Sequence, residues 1–188
     1  MNPVTYNYFL IPLYTFSLLN PEKTYFCNLK AFLMNELKVG DKAPDINAID
    51  QNGNVVKLSG YRGKKVILFF YPKANTPGCT AEACSLRDNY SVLQGMGFEL
   101  IGVSADDTVK QKSFAEKNHF TFPLIPDTEK KIIQDYGVWG TKKNYGKEYQ
   151  GIFRKTFIIS EDGVVEKIFN TVRTKDHAEQ IIKQYEKK

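Results

Sequence analysis

From residue 34 onward, the chain alternates between continuous apolar runs and stretches with helical spacing. KVILFFY (65–71) and FELIGVS (98–104) are apolar runs of the kind found in strands that are buried on both faces of a sheet. Between them, apolar side chains recur at spacings of 4, 3, 4 and 3, which predicts a helix with one face against the core. These residues are Cys79, Ala83, Leu86, Tyr90 and Leu93.

The remaining patterns complete a recognisable order of elements. They predict hairpins at 46–59 (turn Asn52-Gly53) and 155–169 (turn Asp162-Gly163), a strand at 122–127, and helices at 107–119, 128–137 and 174–188. The order is β–α–β–α and then β–β–α, with an inserted helical segment. It predicts an α/β protein whose mixed central sheet has helices on both faces, preceded by an N-terminal β-hairpin. A βαβ unit followed by a ββα unit is the layout of the thioredoxin fold.

The first 33 residues differ from the rest of the chain. They carry no charge before Glu22, but polar residues interrupt the uncharged stretch, which argues against a spanning helix. A secretory signal begins with basic residues, and the first basic residue here is Lys23. We therefore expect residues 1–33 to be a poorly structured extension, or translation begun upstream of the natural start, rather than a targeting segment. Residues 34–188 are expected to form one domain, and no membrane association is expected.

Composition narrows the class of protein further. The 188 residues suffice for one ordinary domain, and the net charge of +5 comes from lysines scattered through most of the chain. Because a nucleic-acid footprint needs clustered basic residues, no nucleic-acid partner is expected. Three cysteines do not make a disulfide scaffold, and their scarcity favours a reducing, cytoplasmic location.

Cys79 occupies a chemically favoured place, where the buried strand passes into the helix through YPKANTPGC (71–79). Thr76 is a good N-cap residue, and Pro77 suits the first helical position because its missing N–H would have no partner there. Cys79 then lies in the first turn, where unpaired N–H groups and the helix dipole favour a thiolate. The alternative is that Cys79 is a small buried hydrophobic residue.

Cys84 follows five residues later and points about 140° away from the Cys79 row of the helix, beside Asp88 and Ser91. Packing therefore explains it poorly, and pairing with Cys79 is the obvious alternative. The two Cα atoms would be about 8.7 Å apart in a helix, beyond the limit of about 7 Å for a disulfide, so the helix would have to open. A metal site is the weaker possibility, since C-x4-C is not zinc-ribbon spacing and His119 and His177 lie in unrelated segments.

At these residues the sequence resembles the peroxiredoxins, and within them the bacterioferritin comigratory protein or peroxiredoxin Q branch. The family signature Pro-x-x-x-Thr-x-x-Cys is matched by Pro72, Thr76 and Cys79, and the branch's second cysteine by Cys84. The segment 136–163 resembles the branch's later region, in which Arg154 matches an arginine that completes the site. The resemblance runs from about Lys38 to the C-terminus and leaves Cys27 without a counterpart.

The resemblance implies a thiol-dependent peroxidase that reduces hydrogen peroxide and organic hydroperoxides. Cys79 would attack the peroxide and become a sulfenic acid, and Cys84 would capture it as a disulfide that thioredoxin or a glutaredoxin reduces. Thr76 would help to hold the sulfur and the peroxide, Arg154 would activate the thiol and polarise the O–O bond, and Pro72 would shape the loop and keep water from the sulfur. No metal, flavin or haem is implied, and a monomer is expected.

Other readings of the same residues stay open. A thioredoxin-like disulfide reductase would be expected to carry C-x-x-C at the helix start, whereas this chain has C-x4-C. A non-catalytic peroxide sensor or a redox chaperone could use the same cysteine pair without turnover. Four aromatic residues could line a substrate or reductant surface, although packing in the core or a loop explains them equally well. They are Tyr136, Trp139, Tyr145 and Tyr149.

Overall fold

The structure is a computed structural model that describes residues 36–144 and 146–186, in which strands and helices alternate for most of the chain. In chain order the elements are β1 (Asn47–Ile49), β2 (Val55–Lys57), a 3-10 turn (Leu58–Tyr61), β3 (Lys65–Phe70), α1 (Pro77–Asp88), α2 (Tyr90–Gly95), β4 (Phe98–Ser104), α3 (Thr108–Asn118), β5 (Leu124–Pro126), α4 (Lys131–Asp135), β6 (Trp139–Asn144), β7 (Lys147–Ile152), β8 (Lys155–Ile159), β9 (Val165–Phe169) and α5 (His177–Tyr185).

Five of these strands form a mixed central sheet in the order β5-β4-β3-β8-β9. β4 runs parallel to both β3 and β5, as βαβ connections require. β8 runs antiparallel to both β3 and β9, so the predicted C-terminal hairpin lies in the sheet. The other predicted hairpin, β1–β2, pairs on its own, and Gly53 in its turn has φ +88°, a conformation that favours glycine.

The core lies on both faces of this sheet, because successive side chains of β3 point to opposite sides. Ile67 and Phe69 pack with residues of α1, α3 and α5. Leu68 and Phe70 pack with α4 and the β1–β2 hairpin on the other face. Helices therefore cover both faces, and the predicted thioredoxin fold with an N-terminal hairpin is confirmed.

One predicted helix is in fact two. The pattern predicted a continuous helix from Cys79 to Gly95, but α1 ends at Asp88 and α2 begins at Tyr90. Asn89 between them has φ −106° and ψ 11°, and its side-chain amide donates to the Ser85 carbonyl at 3.0 Å. Asparagine competes for helical backbone groups in this way. The apolar spacing continues across the break, which is why periodicity alone did not reveal it.

The β6–β7 hairpin was not predicted. Its strands are rich in glycine and charged residues, and they lack the apolar–polar alternation that marks a half-buried strand. Of the four aromatic residues noted in this region, Tyr136 is buried in the core and Trp139 packs against it. Tyr149 is 46% exposed, and Tyr145 lies outside the described residues.

The predictions for residues 1–33 lie outside the described residues. Within the described part of the chain, no helix is both long and apolar enough to cross a membrane.

Removal of residues 1–33 is predicted to leave the domain folded, because the sheet and both of its core clusters are built from later residues. The melting temperature of the truncated protein should stay within about 2 °C of the full chain, which corresponds to a stability change of at most about 1 kcal/mol. Differential scanning calorimetry of the two proteins measures this. Insoluble or markedly less stable truncated protein would show that the extension belongs to the fold.

Candidate active site

Cys79 lies at the third position of α1, just beyond the carboxyl end of β3, and is only 2% exposed. Pro77 is the first residue of the helix, as the sequence predicted. The N–H groups of Gly78 and Cys79 belong to the first turn and therefore have no partner within the helix. The Cys79 side chain is thus buried in the first turn, at the positive end of the α1 dipole.

A network of hydrogen bonds fixes the loop between β3 and α1. The Ala74 N–H donates to Asp106 Oδ2 at 2.7 Å, and the Ser104 hydroxyl donates to the same oxygen at 2.9 Å. Gln111 Nε2 donates to Ser104 Oγ at 2.9 Å, and Gln111 Oε1 accepts from the buried Tyr71 hydroxyl. Burial raises the pKa of Tyr71, so it remains a neutral donor. The loop is therefore tied to β4 and α3, which sequence analysis did not foresee.

Arg154 reaches Cys79 from the short link between β7 and β8. Its Nη2 donates to Cys79 Sγ at 3.1 Å, across 75 residues of sequence. The same nitrogen lies 3.5 Å from where a Cβ on Gly78 would stand, so the guanidinium lies close against the first helical turn. Burial works against the charge, but Glu82 and the Cys79 sulfur outweigh it and raise the pKa of Arg154. The predicted proximity of Cys79 and Arg154 is thus found in the structure.

Glu82 is a site residue that sequence analysis missed. Its side chain is fully buried, Oε2 accepts from Arg154 Nη1, and Oε1 has no hydrogen-bond partner within the described part of the chain. Burial, only partly offset by Arg154, raises the pKa of Glu82 to about 7. A usable signal existed, because Glu82 follows Cys79 by three residues on the core-facing side of the helix, and a buried carboxylate there requires a cationic partner.

Thr76 and Pro72 lie in the loop before α1 as expected, but the Thr76 hydroxyl makes a different hydrogen bond from the predicted one. Thr76 precedes the helix as predicted, but its hydroxyl does not cap it. Instead, that hydroxyl donates to the Lys73 carbonyl at 2.9 Å and closes the turn before the helix. The predicted side-chain cap is therefore wrong, while the hydroxyl oxygen, which acts as the donor in this bond, can still accept a hydrogen bond. Pro72 is half-buried in the loop directly after β3.

Cys84 is less peripheral than the helical geometry predicted. It is half-buried and packs against the core cluster, and its sulfur lies 3.9 Å from Asn118 Oδ1. Burial raises the pKa of Cys84, which Arg87 partly opposes. The expectation that Cys84 adds little to the core is therefore wrong in part, because α3 covers this side of α1. Cys79 and Cys84 are both free thiols, and Cys27 lies outside the described residues.

The two histidines serve other purposes. His177 is buried between Thr156 Oγ1, at 2.8 Å, and Gln180 Oε1, at 3.0 Å, and burial lowers its pKa to about 4. His119 ends α3 in the left-handed conformation. Within residues 36–144 and 146–186, no group of three histidine, cysteine or acidic side chains could hold a metal ion.

The arrangement places one buried cysteine thiol in contact with an arginine guanidinium. Comparison with known proteins agrees with this reading. The family model described as AhpC/TSA family matches residues 39–168. Peroxiredoxin Bcp of Bacillus subtilis is 45% identical over 141 residues, which are 75% of this chain and 90% of that protein. The putative peroxiredoxin bcp of Haemophilus influenzae is 44% identical over 149 residues, covering 79% of this chain and 96% of that protein.

Solved structures give the same result. A structure from a study of alkyl peroxide reduction by the bacterioferritin comigratory protein of Xanthomonas campestris superposes with a TM-score of 0.73 at 27% identity, covering 79% of this chain and 98% of that one. The chain therefore belongs to the AhpC/TSA family, and the predicted resemblance to the bacterioferritin comigratory protein branch is confirmed. It is a thiol-dependent peroxidase, which takes a peroxide substrate and a thiol reductant.

Glu82→Gln is predicted to remove a pH dependence of stability. Because the pKa of Glu82 is about 7 in the folded protein against a model value of 4.5, the folded state holds the extra proton between these values. That contribution is fully present below about pH 4.5 and is lost as pH rises through about 7, by up to about 3 kcal/mol. Urea unfolding at several pH values should show this decline in the wild type and a flatter profile in Glu82→Gln.

The matched control is Glu116→Gln, which changes an exposed glutamate of α3. It should reproduce the wild-type profile. His177 contributes in the opposite sense, since its lowered pKa adds stability as pH rises, but it is present in all three proteins and cancels in the comparison. Parallel profiles for wild type and Glu82→Gln would contradict the buried, half-satisfied state of Glu82.

Proposed function

We propose that Cys79 is the residue that reduces the peroxide. Its thiolate attacks one peroxide oxygen in line with the O–O bond, a sulfur–oxygen bond forms, and the other oxygen leaves as hydroxide or alkoxide. Sulfur is oxidised from thiolate to sulfenic acid and the peroxide is reduced, so no outside electron donor enters this step. The observation that carries the proposal is the 3.1 Å contact between Arg154 Nη2 and the buried Cys79 sulfur.

Arg154 and Glu82 prepare this attack. The guanidinium offers one nitrogen to the sulfur and another to the Glu82 carboxylate, which holds the fork in one orientation. A positive charge fixed beside the sulfur stabilises both the thiolate and the charge that develops on the leaving oxygen. Thr76 retains an acceptor for the peroxide O–H, and Pro72 shapes the loop and limits access of water. The site is built on the fixed loop, so little reorganisation precedes the reaction.

Cys84 completes the cycle by attacking the Cys79 sulfenic acid. A disulfide forms and water leaves, which consumes the thiol proton and the sulfenic hydroxyl. Because Cα atoms five residues apart in a helix are about 8.7 Å apart, α1 has to unwind before the sulfurs can meet. The break at Asn89 supports a local opening, since α2 is a separate helix whose Leu93 remains buried in the core.

We infer that thioredoxin, or a glutaredoxin, reduces the disulfide by thiol–disulfide exchange. A bond that closes only when a helix opens is exposed to such a partner. Residues 34–188 form the peroxidase domain, the protein acts as a monomer, and it works in the cytoplasm, where a reducing thiol pool sustains the cycle. Hydrogen peroxide and organic hydroperoxides are the proposed substrates, because the chemistry at Cys79 requires only an O–O bond.

Cys79→Ser and Cys84→Ser together test the proposal. Cys79→Ser should abolish peroxide reduction in an NADPH-coupled assay with thioredoxin and thioredoxin reductase, because a serine hydroxyl is not ionised at neutral pH. Cys84→Ser should reduce about one equivalent of peroxide and then stall or over-oxidise at Cys79, which intact mass measures directly. Replacing thioredoxin with a glutaredoxin system identifies the reductant.

Several outcomes would contradict the proposal. Substantial turnover by Cys79→Ser would exclude Cys79 as the nucleophile. Peptide mapping that found Cys79 bonded to Cys27 would exclude Cys84 as its partner. Oxidation of the wild type without sustained turnover, with either reductant, would favour the second candidate, a sensor or redox chaperone that uses the same pair as a signal.

Arg154→Lys is predicted to slow the oxidation of Cys79. Lysine keeps the charge but offers no planar fork, so one group cannot bridge the Cys79 sulfur and Glu82 together. The second-order rate with hydrogen peroxide should fall by about tenfold to about a hundredfold, as for the loss of one oriented donor. Stopped-flow competition with a reference peroxidase measures it. Arg173→Lys, at an exposed arginine paired with Asp176, is the control and should react at the wild-type rate.

A further inference from the structure

The C-terminal half of α1 contacts the end of α3. These contacts play no part in the proposed attack of Cys79 on the peroxide. Arg87 Nη1 donates to the Asn118 carbonyl at 2.6 Å, and the guanidinium carbon lies 6.0 Å from the centre of the Phe120 ring. Cys84 Sγ lies 3.9 Å from Asn118 Oδ1. Asn118 Nδ2 donates to the Phe114 carbonyl at 2.8 Å, which holds the side-chain oxygen toward the thiol. We call Cys84, Arg87 and Asn118 the Asn118 clamp.

The clamp acts on the part of α1 that carries the second cysteine. Cys84 and Arg87 are three residues apart and therefore neighbours on one side of the helix. Asn118 of α3 contacts both side chains. Its side-chain oxygen faces the Cys84 thiol, and its backbone carbonyl oxygen accepts from the Arg87 guanidinium. Asp88 pairs with the same guanidinium at 2.7 Å, which restrains Arg87 at the end of the helix.

This attachment opposes the movement that disulfide closure requires. The Cα atoms of Cys79 and Cys84 would be about 8.7 Å apart in a helix, beyond the limit of about 7 Å for a disulfide, so Cys84 has to leave Asn118 before the bond can close. Arg87 lies less than one turn further along the same helix and remains bound to α3 while the helix is intact. The free energy of opening therefore includes the loss of these contacts.

Burial and the Asn118 side-chain oxygen also favour the unreactive thiol form of Cys84. A neutral S–H can donate to Asn118 Oδ1, whereas a thiolate would face the negative end of that carbonyl dipole. Burial raises the pKa of Cys84, Arg87 lowers it, and Asp88 raises it, with an upward result. Because a thiolate and not a thiol is the nucleophile, clamped Cys84 is a poor one. When Cys84 leaves α3, it loses both the burial that raises its pKa and the contact with Asn118 Oδ1.

We propose that Asn118 and Arg87 are positioning residues for the second step of the reaction, holding Cys84 docked against the end of α3 and thereby setting how fast the Cys79 sulfenic acid is captured. The inference rests on the proposed function of Cys84 as the partner of Cys79. It also predicts how the Cys79 sulfenic acid divides between disulfide formation and over-oxidation. While the clamp is closed, the sulfenic acid can react with a second peroxide, so the clamp also sets the share of enzyme that is over-oxidised.

Rapid-quench alkylation followed by mass spectrometry tests this on the full-length protein, because it times sulfenic acid, disulfide and sulfinic acid separately. Arg87→Met keeps the apolar stem beside Phe120 and removes the donor, and Asn118→Ala removes the oxygen that faces Cys84. Disulfide closure should be about tenfold faster in Arg87→Met, the effect expected for a hydrogen bond to a charged group, and a few-fold faster in Asn118→Ala. The first step should keep its wild-type rate in both, and the over-oxidised share should fall.

Arg87→Lys should return closure toward the wild-type rate, because an ammonium group can donate to the same carbonyl. Lys117→Ala, at an exposed position in the last turn of α3, and Arg173→Met are the matched controls and should close at the wild-type rate. If Arg87→Met does not fold, Asn118→Ala still removes the oxygen that faces Cys84 from the α3 side, and its closure rate tests the proposal alone.

Closure at the wild-type rate in Arg87→Met and Asn118→Ala, even with a lowered melting temperature, would reduce the clamp to a stabilising contact and overturn the proposal. Slower closure in either variant would overturn it as well. Failure of the proposed function looks different: the wild-type protein would consume peroxide without forming a Cys79–Cys84 disulfide, before any clamp variant is compared.

Discussion

The guanidinium fork of Arg154 is the interaction on which the rest of the site depends. One nitrogen contacts the Cys79 sulfur and the other contacts the buried Glu82 carboxylate, so a single side chain joins the start of α1 to the central sheet. Burial disfavours the charged form of each of the three groups when it has no partner. The Glu82 carboxylate is fully buried, the Arg154 guanidinium is largely buried, and Cys79 is 2% exposed. Each stabilises the charge of the next, which explains why the first turn of α1 and the β7–β8 link have to meet.

In the proposed cycle, α1 carries two demands that conflict. Its intact first turn holds the sulfur beside Arg154, but the same helix keeps Cys84 too far away for a disulfide. The two parts of the helix are attached to the rest of the domain in different ways. Its core face is anchored by apolar residues such as Ala83 and Leu86, whereas its outer end is held by polar contacts with α3 and stops at Asn89. Breaking polar contacts that water can replace costs little free energy, so a reversible opening can occur there.

The sheet supplies the rigidity that this opening helix lacks. β3 is buried from Val66 to Phe70, and hydrogen bonds from Ala74 to Asp106 and from Tyr71 to Gln111 hold the loop that follows it. In the proposed cycle, the loop keeps its shape while α1 opens, so that the site forms again when the disulfide is reduced. A rigid support beside a locally unstable element is a common arrangement in proteins that switch between two forms.

The sequence alone determined the strands of the central sheet, the β1–β2 and β8–β9 hairpins and the place of Cys79, because these follow from local regularities: apolar runs, turn residues, and a proline at a helix start. A family signature pointed to Arg154 as well. Only the tertiary structure decided that Glu82 is buried beneath the fork, that Asn118 faces Cys84, that the Thr76 hydroxyl turns back to Lys73, and that one helix is two. Most of these depend on groups far apart in the chain, and spacing within a helix says which side a residue faces but not what covers that side.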